Sequence, residues 1–226
     1  MRIYYARIDQ LFKDADVAKT MQLLPQARLE KINKIKQENS RRESMAAGLL
    51  LEYGLREYGL SGKNVTFLEH KDGKPYILEQ PNLHYNLSHS GEYVALVMSD
   101  APVGIDIEKL RQNQMRLARR FFAEEECQLL LQNWSDEAFT RMWTRKESYI
   151  KACGYGMRMS LAGFSTVESH VRTNEKMNAD MLSDDTVYYV ESFSINENYW
   201  LSVCQREKGI GEEPEEVNIR DLFLQK

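Results

Sequence analysis

Apolar and polar positions alternate from Ile3 to Ile8, which predicts an opening strand with one buried face. Helical spacing follows: Asp16 to Leu24 reads as a helix stopped by Pro25, which in turn suits the first position of the next helix. On that second helix Arg28, Lys31 and Lys34 form a basic ridge beside Leu29 and Ile32, a pattern that also describes a solvated face. Ser40-Arg41-Arg42-Glu43 matches a capping box and predicts a strongly apolar helix over Ala46 to Tyr58, ended by Gly59 and Gly62. Arg41 and Arg42 fall in its first turn, where a bound anion would be favoured. Lys63 to Glu69 and Pro75 to Leu78 flank Lys71-Asp72-Gly73-Lys74, a hairpin signal. Leu83 to Ser88 alternates again. Ser88-His89-Ser90-Gly91 then reads as a tight polar corner able to turn donors toward a phosphate, ahead of the apolar strand Tyr93 to Met98.

Ser99 to Pro102 is a short polar break and the expected boundary between an N-terminal α+β lobe, residues 1–101, and a C-terminal α+β lobe, residues 102–226. Gly104-Ile105-Asp106-Ile107-Glu108 follows it. In a strand, Ile105 and Ile107 enter the core while Asp106 and Glu108 stand on the opposite face, about 7 Å apart. Two neighbouring carboxylates repel, so keeping both ionised asks for a cation, and oxygen ligands alone suit a hard ion such as Mg2+; the alternative is a plain solvated face. Leu110 to Phe122 and Glu124 to Gln132 read as helices, the second carrying Glu124, Glu125 and Glu126 as charges favoured by its first turn. Ser135 caps a longer helix, Asp136 to Cys153, terminated by Gly154. On it Glu147 and Lys151 share one face, which by itself is an ordinary surface pair of about 0.3–0.5 kcal/mol.

The remainder is β-rich, with strands at Gly163 to Val167, Thr186 to Ser194 and Tyr199 to Gln205 and an exposed loop over Lys176 to Asp185. From about residue 207 the chain is glycine- and acid-rich, which predicts a mobile tail that ends in a short amphipathic segment, Val217 to Leu224.

Composition narrows the classes. The 226 residues, 42% hydrophobic, suffice for one generous domain or two small ones, and a net charge of −4 gives no footprint for sequence-independent nucleic-acid binding. Cys127, Cys153 and Cys204 fit neither a disulfide framework nor a zinc motif and read as thiols of a reducing cytoplasm. No signal-type segment opens the chain and no run approaches the ~20 apolar residues of a membrane span, so a cytoplasmic protein is expected.

Five motifs occur in a fixed order: Gly73-Lys74-Pro75, Asn86 to Gly91, Val103 to Glu108, Phe121-Phe122, and Trp143 to Lys151 with Lys146-Glu147-Ser148-Tyr149-Ile150-Lys151. Together they resemble the Sfp-type 4'-phosphopantetheinyl transferases. The resemblance implies two similar α+β lobes in pseudo-twofold arrangement, an active site in the cleft between them, and a monomer. It implies that Asp106, Glu108 and Glu147 hold Mg2+, that Glu147 and Lys151 are catalytic, and that Lys151 faces the pyrophosphate of coenzyme A. His89 with Ser88 would grip the 3'-phosphate, and Lys74 with Pro75 would line the adenine end. Arg28, Lys31 and Arg42 would add phosphate contacts, although their spacing fits only loosely. The turn Gly154-Tyr155-Gly156 would approach the pantetheine arm, and an apo acyl or peptidyl carrier protein would dock near Met115, Leu117, Phe121 and Phe122, the last two reading equally as core residues. The implied reaction moves 4'-phosphopantetheine from coenzyme A to a carrier serine and releases adenosine 3',5'-bisphosphate. Two rivals stay open: a Mg2+-dependent hydrolase of coenzyme A or nucleotides, and a carrier-binding module without turnover. A serine hydrolase is disfavoured, because the chain lacks a Gly-x-Ser-x-Gly elbow.

Overall fold

Apolar residues on alternate positions build two sheets that pack face to face, each covered on its outer side by one long helix. The computed structural model describes residues 1–9, 21–70, 73–173, 187–206 and 208–218. The first sheet contains β1 (Arg2–Arg7), β4 (His84–Ser90), β5 (Tyr93–Ser99) and β11 (Glu215–Glu216), in the order β11-β1-β5-β4. The second contains β6 (Val103–Lys109), β9 (Tyr189–Asn196) and β10 (Tyr199–Gln205), in the order β6-β10-β9 and antiparallel throughout. Two small hairpins complete the strands of the described residues: β2 (Phe67–Glu69) with β3 (Pro75–Ile77), and β7 (Phe164–Ser165) with β8 (Arg172–Thr173). The helices are α1 (Gln26–Asn33), α2 (Glu38–Glu57), α3 (Met115–Phe121), α4 (Glu124–Gln132) and α5 (Asp136–Cys153). The class is α+β.

Strand periodicity explains the layers. Tyr4, Ala6, Val94, Leu96 and Met98 face α2, where they meet Leu49, Leu50 and Leu55. The intervening Ile3, Tyr93, Ala95 and Val97 face the second sheet and pack on Val103, Ile105, Ile107, Leu201 and Val203. On the outer face of the second sheet lies α5, through Tyr149, Ile150 and Ala152 against Val190 and Cys204. The helix is fixed at both ends: Ser135 accepts a hydrogen bond from Ala138 N at 2.9 Å, and Gly154, at φ 77°, closes it in the left-handed conformation. Gly104 sets how near α5 comes. A Cβ there would sit 2.2 Å from Ser148 O and 2.4 Å from Ala152 N, so helix backbone rests directly on strand backbone.

α5 is also anchored from behind by a fully buried ion pair. Lys146 Nζ lies 2.5 Å from Glu126 Oε2 and donates to Phe164 O at 2.7 Å, both side chains being 0% exposed. Glu126 also accepts from Ala123 N, Thr166 N and Thr166 Oγ1, so its charge is satisfied on every side. Of the three acids read as first-turn charges, this one is a core residue.

Several sequence expectations change. The chain from Ser88 to Ser90 is the end of β4, and the turn is confined to Gly91 and Glu92. α2 begins at Glu38 with Gln37 as its cap, so the capping box at Ser40 does not form. α3 starts only at Met115, because Leu110 N bonds Asn198 O, Arg111 N bonds Thr140 Oγ1, and Asn113 takes φ 57°. The acidic stretch expected to be mobile is built into the structure: Ile210 enters the core between the sheets, β11 pairs parallel with β1, and Val217 is buried with its N–H on Tyr5 O at 2.8 Å. Residues 215–217 of the expected C-terminal lobe therefore complete the sheet of the N-terminal one. Asp16 to Thr20, Lys71-Asp72, Lys176 to Asp185 and the tail beyond Asn218 lie outside the described residues.

Gly104→Ala should destabilise the protein by about 3 kcal/mol, the upper range for overpacking, since backbone on both sides has nowhere to yield. Urea unfolding checks this; an unchanged midpoint would mean that α5 does not press on Gly104.

Candidate active site

β4 and β6 lie side by side in the same direction, joined by side chains of β4 rather than by its backbone. Asn86 Oδ1 accepts from Ile105 N at 3.0 Å, Ser88 Oγ from Ile107 N at 3.3 Å and Ser90 Oγ from Lys109 N at 3.2 Å. Because strand side chains repeat every two residues, the three point one way, while Tyr85 and Leu87 point into the core under α2. The same hydroxyls donate onward: Ser88 Oγ to Asp106 Oδ1 at 2.8 Å and Ser90 Oγ to Glu108 Oε2 at 2.8 Å. One row of β4 side chains thus fixes β6 and aims its two acids.

α5 supplies the rest. Lys151 Nζ donates to Asp106 Oδ1 at 2.6 Å, Ser88 Oγ at 3.0 Å and Ile105 O at 3.1 Å. Glu147, one turn earlier on the same helix face, makes no hydrogen bond among the described residues. Burial first, and then the Asp106 charge, push its carboxyl above the usual carboxylate range, with Lys151 acting the other way. The Glu108 carboxyl is raised for the same two reasons, offset by Ser90 and Arg111. Asp106, Glu108 and Glu147 therefore share one electrostatic neighbourhood. Asp106 is only 5% exposed, and its Oδ2 is buried without a hydrogen-bond partner, a costly state for a carboxylate oxygen.

Among the described residues, no three His, Cys, Asp or Glu side chains are arranged to hold a metal ion. Two of the acids expected on one cation are instead in contact with cations of the chain itself, Asp106 with Lys151 and Glu108 with Arg111. The donor set nonetheless fits a hard divalent ion in two respects: it offers only carboxylate and hydroxyl oxygens, and Asp106 Oδ2 is an unsatisfied acceptor among them.

The other expected residues are dispersed around this centre. Ser88 and His89 point to opposite faces of β4, so they do not grip one group together: Ser88 belongs to the acid cluster, and His89, 49% exposed, has Nδ1 3.5 Å from Glu43 Oε2 on α2. The same helix carries Arg42 one position earlier. Lys74 directs its ammonium at Val103 O, 3.1 Å away, and Ala152 O, 2.7 Å away, and so ties the β2–β3 hairpin to β6 and to the C-terminal end of α5. Pro75 lines a cavity of about 290 Å³ with Arg28, Lys31 and Tyr85. There Arg28 donates to Ser44 O at 3.0 Å, and Lys31 reaches Glu69 at 3.1 Å. Sequence reasoning placed Asn86 and Ser90 within a motif without giving either a role of its own, and it passed over Arg111. Their signal was present in the Asn-x-Ser-x-Ser alternation of β4 and in the three-residue step from Glu108 to Arg111.

Comparison with known proteins identifies the family. A family model described as the 4'-phosphopantetheinyl transferase superfamily matches residues 102–204, and one described as 4'-phosphopantetheinyl transferase, N-terminal, matches residues 13–101. The 4'-phosphopantetheinyl transferase Sfp of Bacillus subtilis (strain 168) is 26% identical, over 99% of this chain and 100% of its own. The 4'-phosphopantetheinyl transferase psf-1 of Bacillus pumilus is 30% identical, over 80% of this chain and 78% of its own. The 4'-phosphopantetheinyl transferase gsp of Aneurinibacillus migulanus is 34% identical, over 69% and 65%. With acids and lysine gathered where β4, β6 and α5 meet, and relatives of this kind matching most of its length, the chain belongs to the Sfp-type 4'-phosphopantetheinyl transferases and is a transferase enzyme.

Proposed function

We propose that the protein transfers 4'-phosphopantetheine from coenzyme A to a serine of an apo acyl or peptidyl carrier protein, with Mg2+ held by Asp106, Glu108 and Glu147. The observation that carries this reading is the junction of β4, β6 and α5, where three partly desolvated acids stand beside one lysine. Bound there, Mg2+ would neutralise charge on the diphosphate of coenzyme A. The chain's own residues do the rest. Glu147, whose carboxyl burial pushes above the usual carboxylate range and which makes no side-chain hydrogen bond among the described residues, takes the proton of the carrier serine directly or through a water. The serine oxygen forms a bond to the β-phosphorus. The bond from that phosphorus to the bridging oxygen breaks, and adenosine 3',5'-bisphosphate leaves with that oxygen. Lys151 lies beside the same atoms and balances the charge that develops on the leaving group.

His89, beside Glu43 of α2, suits the 3'-phosphate together with Arg42, the preceding residue of that helix; Arg28, Lys31 and Pro75 line the cavity toward the adenine side, where Lys74 fixes the β2–β3 hairpin through Val103 O and Ala152 O. The two expected lobes, 1–101 and 102–226, would share the site between them; the limits of the two family matches support that division. A cytoplasmic enzyme acting as a monomer on a protein substrate belongs to the same reading; no helix among the described residues is long and apolar enough to cross a membrane.

Incubation with coenzyme A, Mg2+ and an apo carrier should add about 340 Da to the carrier, the mass of the transferred group in this phosphoryl-type transfer. An unchanged carrier with free phosphopantetheine in solution would favour the hydrolase. Asp106→Ala should abolish the mass shift with the fold retained, and Glu147→Gln should slow turnover by about 10²- to 10⁴-fold. His89→Ala should raise KM for coenzyme A while leaving KM for 3'-dephospho-coenzyme A nearly unchanged; equal losses would remove His89 from the 3'-phosphate.

Stability offers a further test. A carboxyl whose folded pKa is raised stabilises the fold below its unfolded value, here about 4.5, and that contribution is lost as pH rises through the folded value. In metal-free protein, Glu147→Gln should therefore raise the unfolding temperature by a few degrees at pH 7, and the difference should vanish near pH 4.

A further inference from the structure

Of the two chain cations lying on the acids, Lys151 is held by three separate oxygen acceptors, Asp106 Oδ1, Ser88 Oγ and Ile105 O. Arg111 is held differently. Its guanidinium pairs with Glu108 Oε1, and its carbon centre stacks 4.8 Å from the centroid of Trp143. Its backbone is pinned separately, through its N–H on Thr140 Oγ1 at 3.0 Å. The side chain is 34% exposed, so it can swing without unpacking the core. An arginine that lets go of the carboxylate keeps the aromatic face beside it, where a cation remains favourably placed. Glu108, in contrast, has one oxygen on Ser90 and the other on Arg111, so both of its oxygens are engaged before any outside ion arrives.

We propose that Arg111 is a resident counter-cation that occupies Glu108 in the metal-free protein and yields it to the divalent ion, retreating onto Trp143. The inference rests on the metal reading above and adds a positioning residue to it. Without a cation, Glu108 would be a partly buried acid on the same strand face as Asp106, and the paired Arg111 supplies the opposite charge. With a cation, the arginine is a competitor, and the apparent affinity for the ion is reduced by the fraction of protein in which the pair is closed.

The test is a calorimetric Mg2+ titration of wild type, Arg111→Gln and Asp106→Asn, with thermal unfolding of each protein in chelator. Arg111→Gln should bind Mg2+ about three- to tenfold more tightly than wild type, as expected for removing a partly exposed ion pair, yet unfold at a lower temperature when metal-free. Arg111→Lys should fall between the two in affinity, because it keeps the charge and loses the fork that grips the carboxylate. Equal or weaker Mg2+ binding by Arg111→Gln, with binding still lost in Asp106→Asn, overturns this proposal and leaves the metal reading standing. Binding that is indifferent to Asp106→Asn, or absent in wild type, overturns the metal reading and this proposal with it.

Discussion

Three small polar side chains of β4 do what a row of backbone hydrogen bonds does elsewhere. Asn86, Ser88 and Ser90 accept the N–H groups of Ile105, Ile107 and Lys109, and so join the edge of one sheet to the edge of the other. The consequence is geometric. A backbone ladder would bring the strands to about 4.8 Å and leave no room between them. A side-chain ladder spaces them apart and fills the gap with hydroxyls, which then have a second bond to give, and Ser88 and Ser90 give it to Asp106 and Glu108. Sheet assembly and acid placement are thus the same set of atoms, and the acids cannot shift without loosening the join.

The helix that completes the site is located by an equally short-range constraint. Gly104 occupies the acid-bearing face of β6, two residues before Asp106, and the absence of a side chain lets α5 rest on the strand there. Glu147 and Lys151 are thereby carried over Asp106 and Glu108. Behind the helix, Thr144 Oγ1 and Ser202 Oγ lie 2.7 Å apart, Ser202 and Ser192 hydroxyls 2.9 Å apart, and Arg145 donates to Thr166 O at 2.8 Å. The apolar contact between α5 and the second sheet therefore includes a polar part that is satisfied, a condition under which buried polarity fixes orientation instead of costing stability.

How much of this was legible in the sequence follows from which forces are local. The acidic strand and both ends of α5 could be read, because alternation, an N-cap serine and a terminal glycine act within a few residues. β4 beyond Ser88 could not, since hydroxyls and an imidazole in succession describe an exposed corner equally well; the difference is that its polar face meets another strand instead of water. Glu126 looked like a charge at a helix start, and only its pairing with Lys146, twenty positions on, removes it from solvent. Lys74 reads as a basic residue after a turn, yet its ammonium answers carbonyls from two remote elements. The acid-rich segment after residue 207 has the composition of a mobile tail; the buried side chains of Ile210 and Val217, and an open strand edge, decide otherwise.

Lys146 and Glu147 show how the candidate site obtains a fixed mount for an acid that the fold leaves without a hydrogen bond. Neighbours on a helix point about 100° apart, so the lysine drives into the core behind α5 while the glutamate turns toward the acids in front. The buried pair with Glu126 resists rotation of the helix, because any turn would strand a charge in an apolar setting beside Phe122 and Phe164. Glu147 needs no hydrogen bond of its own to be held in place. Its carboxylate oxygens carry no hydrogen bond among the described residues, while the neighbouring lysine bears the cost of orientation.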